Sequence, residues 1–98
     1  MSDEKVIAEL NDLIKKAADT LKSFGATDVY LFGSFAKGTY RKDSDIDIAV
    51  SGIPPEKFFE AMGRAEDVLN REIDLIDLDE QNTFVEFLKT HGELQHVE

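Results

Sequence analysis

The sequence predicts a small α/β (α+β) domain, a mixed β-sheet packed with helices, in the order α-β-β-α-β-α. Three observations carry that expectation. Apolar residues recur at helical spacing in three separate stretches, and short β-branched or alternating runs stand between them. Glycine or proline punctuates most of the junctions. A chain of 98 residues has room for one such domain, covering residues 1–98.

Each element follows from its own pattern. Val6, Ile7, Leu10, Leu13, Ile14, Ala17, Ala18 and Leu21 form the stripe of an amphipathic helix, with acids early, lysines late and Gly25 as the C′ stop. Val29 to Phe32 is a β-branched and aromatic run that ends at Gly33-Ser34. Residues 35–44 are polar and read as a loop with at most one helical turn. Asp45 to Val50 alternates acid and aliphatic, which predicts a second strand whose Ile46, Ile48 and Val50 face the core. Pro54-Pro55 opens a helix with the stripe Phe58, Phe59, Met62, Ala65, Val68 and Leu69. Glu72 to Leu78 is a third strand, and Asp79 to Asn82 turns into a last helix carrying Phe84, Val85, Phe87 and Leu88. Gly92 ends it, and residues 93–98 remain as a tail or short edge strand.

Composition excludes several functional classes. With 42% hydrophobic and 33% charged residues the chain is globular rather than disordered. Eleven Lys and Arg against 21 Asp and Glu give a net charge of −10, which disfavours duplex nucleic acid and anionic membranes as partners. Absence of cysteine removes a disulfide scaffold, a thiolate metal site and a cysteine nucleophile. No apolar run approaches a membrane span, and the acidic N-terminus is unlike a signal peptide, so the expectation is a soluble, cytoplasmic protein. The charge is also uneven: residues 1–50 carry 7 basic and 9 acidic side chains, residues 51–98 carry 4 and 12.

One constellation carries chemistry. Asp45 and Asp47 are two apart on a strand and so project to the same face. Their mutual repulsion becomes favourable around a divalent cation, and hard oxygen ligands on a rigid strand suit Mg²⁺. A solvated polar face of an antiparallel strand is the competing reading of this pair alone. Gly33-Ser34, ahead of it, offers backbone N–H groups and a hydroxyl to a phosphate. Lys37 lies within reach of the same phosphates, with Arg41 and Lys42 further along. Asp74, flanked by aliphatics in the third strand, supplies a third carboxylate. Asp77 competes with it but falls on the opposite face and reads better as a strand-end acid.

The stretch from Gly33 to Ile48, GSFAKGTYRKDSDIDI, resembles the signature of the nucleotidyltransferase superfamily related to DNA polymerase β. That signature is Gly-Ser, ten residues, Asp-x-Asp and a separate third carboxylate, which Ile73 to Leu78 matches. The resemblance is greatest to the minimal nucleotidyltransferase (MNT) branch, whose pattern reads Gly-Ser-x-Ala-Arg-Gly and then Ser-Asp-Ile-Asp-Leu. Lys37 stands where Arg is usual, a mild departure for a phosphate contact, and Ile48 stands for Leu.

What the resemblance implies is a nucleotidyltransferase fold and Mg²⁺-dependent transfer of AMP from ATP to a hydroxyl, with release of pyrophosphate. Asp45, Asp47 and Asp74 would hold two Mg²⁺ ions, and Asp74 would also help deprotonate the acceptor. Gly33, Ser34, Lys37 and Ser44 would bind the nucleotide. MNT proteins resemble the antitoxin half of two-gene modules whose toxin is a HEPN ribonuclease, and the acceptor implied is a tyrosine of that toxin. A hetero-oligomer with a HEPN-type partner follows, and the acidic second half suits docking on a basic surface. The alternative is a non-catalytic antitoxin that inhibits its partner by occlusion. His91, His96, Tyr30 and Tyr40 carry no motif, and the phenylalanines at positions 58, 59, 84 and 87 read as core packing or a partner interface.

Overall fold

The first amphipathic stretch folds as helix α1, Ser2–Ser23, in a computed structural model that describes residues 2–33, 46–92 and 94–97. Leu10, Ile14, Ala17, Ala18 and Leu21 are buried along one side of it, as the stripe predicts. The helix ends in a Schellman motif. Gly25 N–H donates to the Lys22 carbonyl and Ala26 N–H to that of Leu21, with Gly25 at φ +115°. Strand β1 (Asp28–Phe32) follows, then β2 (Ile46–Ser51), helix α2 (Pro55–Leu69), β3 (Ile73–Asp77), helix α3 (Thr83–His91) and β4 (Gln95–His96). The described elements keep the predicted order, and the tail supplies the short edge strand.

The sheet runs β3-β2-β1-β4. β1 is antiparallel to both β2 and β4, whereas β2 and β3 are parallel, joined by α2. One face packs on α1 and α2: Val29, Leu31, Ile46, Ile48, Val50, Ile73 and Leu75 meet the helices' apolar sides there. Ile46, Ile48 and Val50 are at most 1% exposed, so each of these side chains contributes about 1.5–3 kcal/mol of burial. α3 lies over the other face, with Val85 and Leu88 against Ala49, Leu78, Tyr30, Phe32 and Ile76. Its N-cap is Asn82, whose Oδ1 accepts from Val85 N–H at 2.9 Å.

Two expectations are corrected in the helices. Phe59 was expected on the apolar stripe of α2 but is 75% exposed, while Ala61, Ala65 and Leu69 make the buried side. Phe84 and Phe87 are likewise exposed, because Val85 and Leu88 already occupy the side of α3 that meets the sheet. Core packing therefore does not account for these three phenylalanines. Among the described residues no helix is long and apolar enough to cross a membrane.

Candidate active site

The period of two along a strand sends alternate side chains to opposite faces, and register decides which of them meet across the sheet. Asp47 pairs with Asp74 across the parallel β2–β3 ladder and with Phe32 across the antiparallel β1–β2 ladder. A row Asp74–Asp47–Phe32 therefore crosses three strands on the face that α3 partly covers. The next row, Ile76–Ala49–Tyr30–His96, lies beneath α3, and there the residues are apolar or aromatic until the edge. Among the described residues α3 thus covers one half of this face and reaches the acidic row only at Phe32. Asp47 is half-buried, and Asp74 is exposed.

Two carboxylates on adjacent strands stand roughly 5 Å apart at the backbone, where like charges repel by about 1 kcal/mol in a well-solvated setting. A cation between them reverses that sign.

Gly33 closes the arrangement from the side of β1. It follows the Phe32–Asp47 pair with φ +69°, a left-handed conformation that side chains rarely adopt. A Cβ at this position would overlap Asp47 Oδ2. The glycine is thus required twice, for the turn and for the space that the Asp47 carboxylate occupies. The neighbour that Gly33 makes room for is thus the Asp47 carboxylate.

Of the predicted site residues the structure brings together Gly33, Asp47 and Asp74. Ser34, Lys37, Ser44 and Asp45, with the 35–44 loop and Tyr40, lie outside the described residues. Among the described residues no three His, Cys, Asp or Glu side chains form a metal-binding group. The Asp47–Asp74 pair is two thirds of the predicted carboxylate set, and its hard oxygen donors suit Mg²⁺.

Asp77 takes the strand-end part: its Oδ1 accepts from Asp79 N–H at 2.9 Å, and Asp79 Oδ2 accepts from Gly52 N–H at 2.7 Å. His96 sits over Tyr30 with ring centroids 5.2 Å apart and lies 3.5 Å from Asp28, at the far edge of the sheet from Asp74. Sequence reasoning passed over Glu66, which bonds the first residue of β3. With Met62 four residues before it and Leu69 three after, it shares their side of α2, and that spacing was the available signal.

The family pattern described as polymerase beta, nucleotidyltransferase matches residues 8–94. The chain belongs to that family. Relatives agree with it. A protein of Methanocaldococcus jannaschii named a "putative protein adenylyltransferase" is 36% identical over 76 residues, covering 74% of this nucleotidyltransferase and 88% of the relative. The protein adenylyltransferase MntA of Shewanella oneidensis is 33% identical over 76 residues; the match covers 74% of this chain and about half, 53%, of MntA. Among solved structures, a chain of the MntA–HepT toxin–antitoxin crystal structure superposes with a TM-score of 0.59 at 26% identity. That superposition covers 88% of this chain and 69% of the other. The nucleotidyltransferase is accordingly an enzyme with the minimal fold of its family, and the open acidic row lies within the matched region.

Proposed function

We propose that this nucleotidyltransferase is a protein adenylyltransferase that moves AMP from ATP to a hydroxyl, a tyrosine, of a HEPN-type toxin and so acts as its antitoxin in the cytoplasm. The observation that carries the reading is the Asp47–Asp74 pair, held in register on one sheet face beside a glycine that admits nothing larger. The names borne by the relatives, protein adenylyltransferase and toxin–antitoxin complex, support the choice of acceptor.

In the step proposed, the acceptor oxygen attacks the α-phosphorus of ATP. The bond from that phosphorus to the bridging oxygen breaks, and pyrophosphate leaves with the electron pair. Asp74, exposed on β3, would help take the hydroxyl proton. Gly33 and Ser34 would present N–H groups and a hydroxyl to the β- and γ-phosphates, with Lys37 and Ser44 nearby in sequence. Asp45, Asp47 and Asp74 would hold Mg²⁺, which when bound neutralises the charge that develops on the triphosphate. Residues 1–98 act in this reading as one catalytic domain, and the partner protein brings the acceptor.

The test incubates the protein with Mg²⁺, α-labelled ATP and the protein encoded by the neighbouring open reading frame. Label on a partner tyrosine is expected, and its loss with Asp47→Asn or Asp74→Asn. A bound but unlabelled partner, neutralised equally well by both variants, refutes transfer and leaves inhibition by occlusion.

A further inference from the structure

Glu66 lies in the last turn of α2, and two of its groups converge on the start of β3. Its backbone carbonyl accepts the N–H of Asn70, the helix C-cap, and the N–H of Arg71 at 3.3 Å. Its side-chain Oε2 accepts from Ile73 N–H at 3.0 Å. Asn70 adopts the left-handed conformation, φ 55° and ψ 39°, which turns the chain back toward the sheet. The connection from α2 to β3 is therefore wound around one glutamate.

The bond to Ile73 matters because of where β3 sits. Among the described residues it is an outer strand of the sheet, with β2 on one side and no strand on the other. Glu66 Oε2 stands in for a neighbouring strand at the first residue of β3, where an edge strand would otherwise fray. Asp74 is the very next residue. Met62, Glu66, Glu72, Ile73 and Asp74 line one cleft of about 200 Å³, so the anchor and the carboxylate share a wall. A half-buried glutamate beside two further acids, Glu72 and Asp74, is electrostatically unfavourable as a mere filler. Accepting the Ile73 backbone N–H offsets part of that cost.

We propose that Glu66 is a positioning residue: through Ile73 N–H it fixes the backbone from which Asp74 presents its carboxylate to the cation. This rests on the reading of Asp74 as a ligand in the transfer site. The geometry assigns Glu66 no contact with substrate, and its effect runs through Asp74 alone.

The experiment titrates Mn²⁺, as a stand-in for Mg²⁺, into the full chain in the presence of ATP, read by electron paramagnetic resonance. It is paired with amide hydrogen exchange at Ile73 and thermal melting. Asp74→Asn is expected to weaken Mn²⁺ binding by about 10-fold or more, and Glu66→Ala by about 10-fold. Glu66→Gln, whose amide oxygen still accepts from Ile73 N–H, keeps binding near the parent value. Ile73 exchanges slowly in the parent and in Glu66→Gln and fast in Glu66→Ala. Asn82→Ala, which removes the α3 cap, lowers the melting temperature without moving Mn²⁺ affinity. That control separates positioning from general stability.

If Asp74→Asn weakens binding and Glu66→Ala does not, positioning by Glu66 is overturned while Asp74 keeps its role. Unchanged binding in Asp74→Asn overturns the reading of Asp74 and this proposal with it. Equal loss in Glu66→Gln and Glu66→Ala also overturns it, because charge rather than the hydrogen bond would then be what counts.

Discussion

Replacing Gly33 by alanine tests the cradle at its tightest point. The backbone there has φ +69°, where a Cβ costs about 1–2 kcal/mol. The new methyl also occupies the place of Asp47 Oδ2, so the carboxylate must leave its rotamer, at a further cost of about 0.5–1.5 kcal/mol. Together these come to about 1.5–3.5 kcal/mol, or a melting temperature lower by about 6–28 °C for a domain of this size. Catalysis suffers on a different scale: a carboxylate displaced by about 1 Å from a reacting centre loses about 10²-fold in rate.

Gly33→Asn separates the two contributions. Asparagine tolerates the left-handed region better than alanine but has the same Cβ. It should melt at a higher temperature than Gly33→Ala while losing as much transfer. The assays are thermal melting by circular dichroism and label transfer from α-labelled ATP to the partner protein. Full transfer by Gly33→Ala with an unchanged melting temperature would refute the claim that this glycine makes room for Asp47.

Four further outcomes are expected. Asn82→Ala deletes the α3 cap and should cost about 1 kcal/mol, read as a lower urea midpoint with nucleotidyl transfer unaffected. Ile48→Ala removes a side chain 1% exposed and should cost about 2–5 kcal/mol. Phe59→Ala, at a position 75% exposed, should change stability by no more than about 0.5 kcal/mol in the same denaturation experiment. Asp74→Asn should abolish labelling of the partner yet change stability by no more than about 0.5 kcal/mol, because the side chain is exposed.

Much of this architecture was legible because it rests on periodicity. The alternation in Ile46-Asp47-Ile48 fixes which side chains enter the core, and all the aliphatics predicted there are buried. The helical stripe of α1 and the glycine stop at position 25 are equally local signals. The pairing of Asp47 with Asp74 was not local. Spacing set each aspartate on a face, but only parallel register makes them neighbours.

The aromatic positions mark the other limit. Phe84 and Phe87 sit at helical spacing like core residues, yet a helix of nine residues over a small sheet has only one side to bury, and Phe59 lies off the Ala61–Ala65–Leu69 side of α2. Glu66 escaped notice because one acid among the four of α2 looks like solvent-facing charge until its backbone partner is known.

The parallel register of β2 and β3 has a consequence for insertions and deletions. Asp47 and Asp74 meet because of where their strands are aligned, not because of how much chain separates them. The helical crossover between the strands can therefore lengthen without moving either carboxylate, provided that both strand ends stay anchored. Loss of a single residue inside β3 is a different event. It would turn Asp74 toward the helices and bring an aliphatic neighbour to the open face, since a slip of one residue exchanges the two sides of a strand. Length variation in related sequences should accordingly collect in the crossover and avoid the strands.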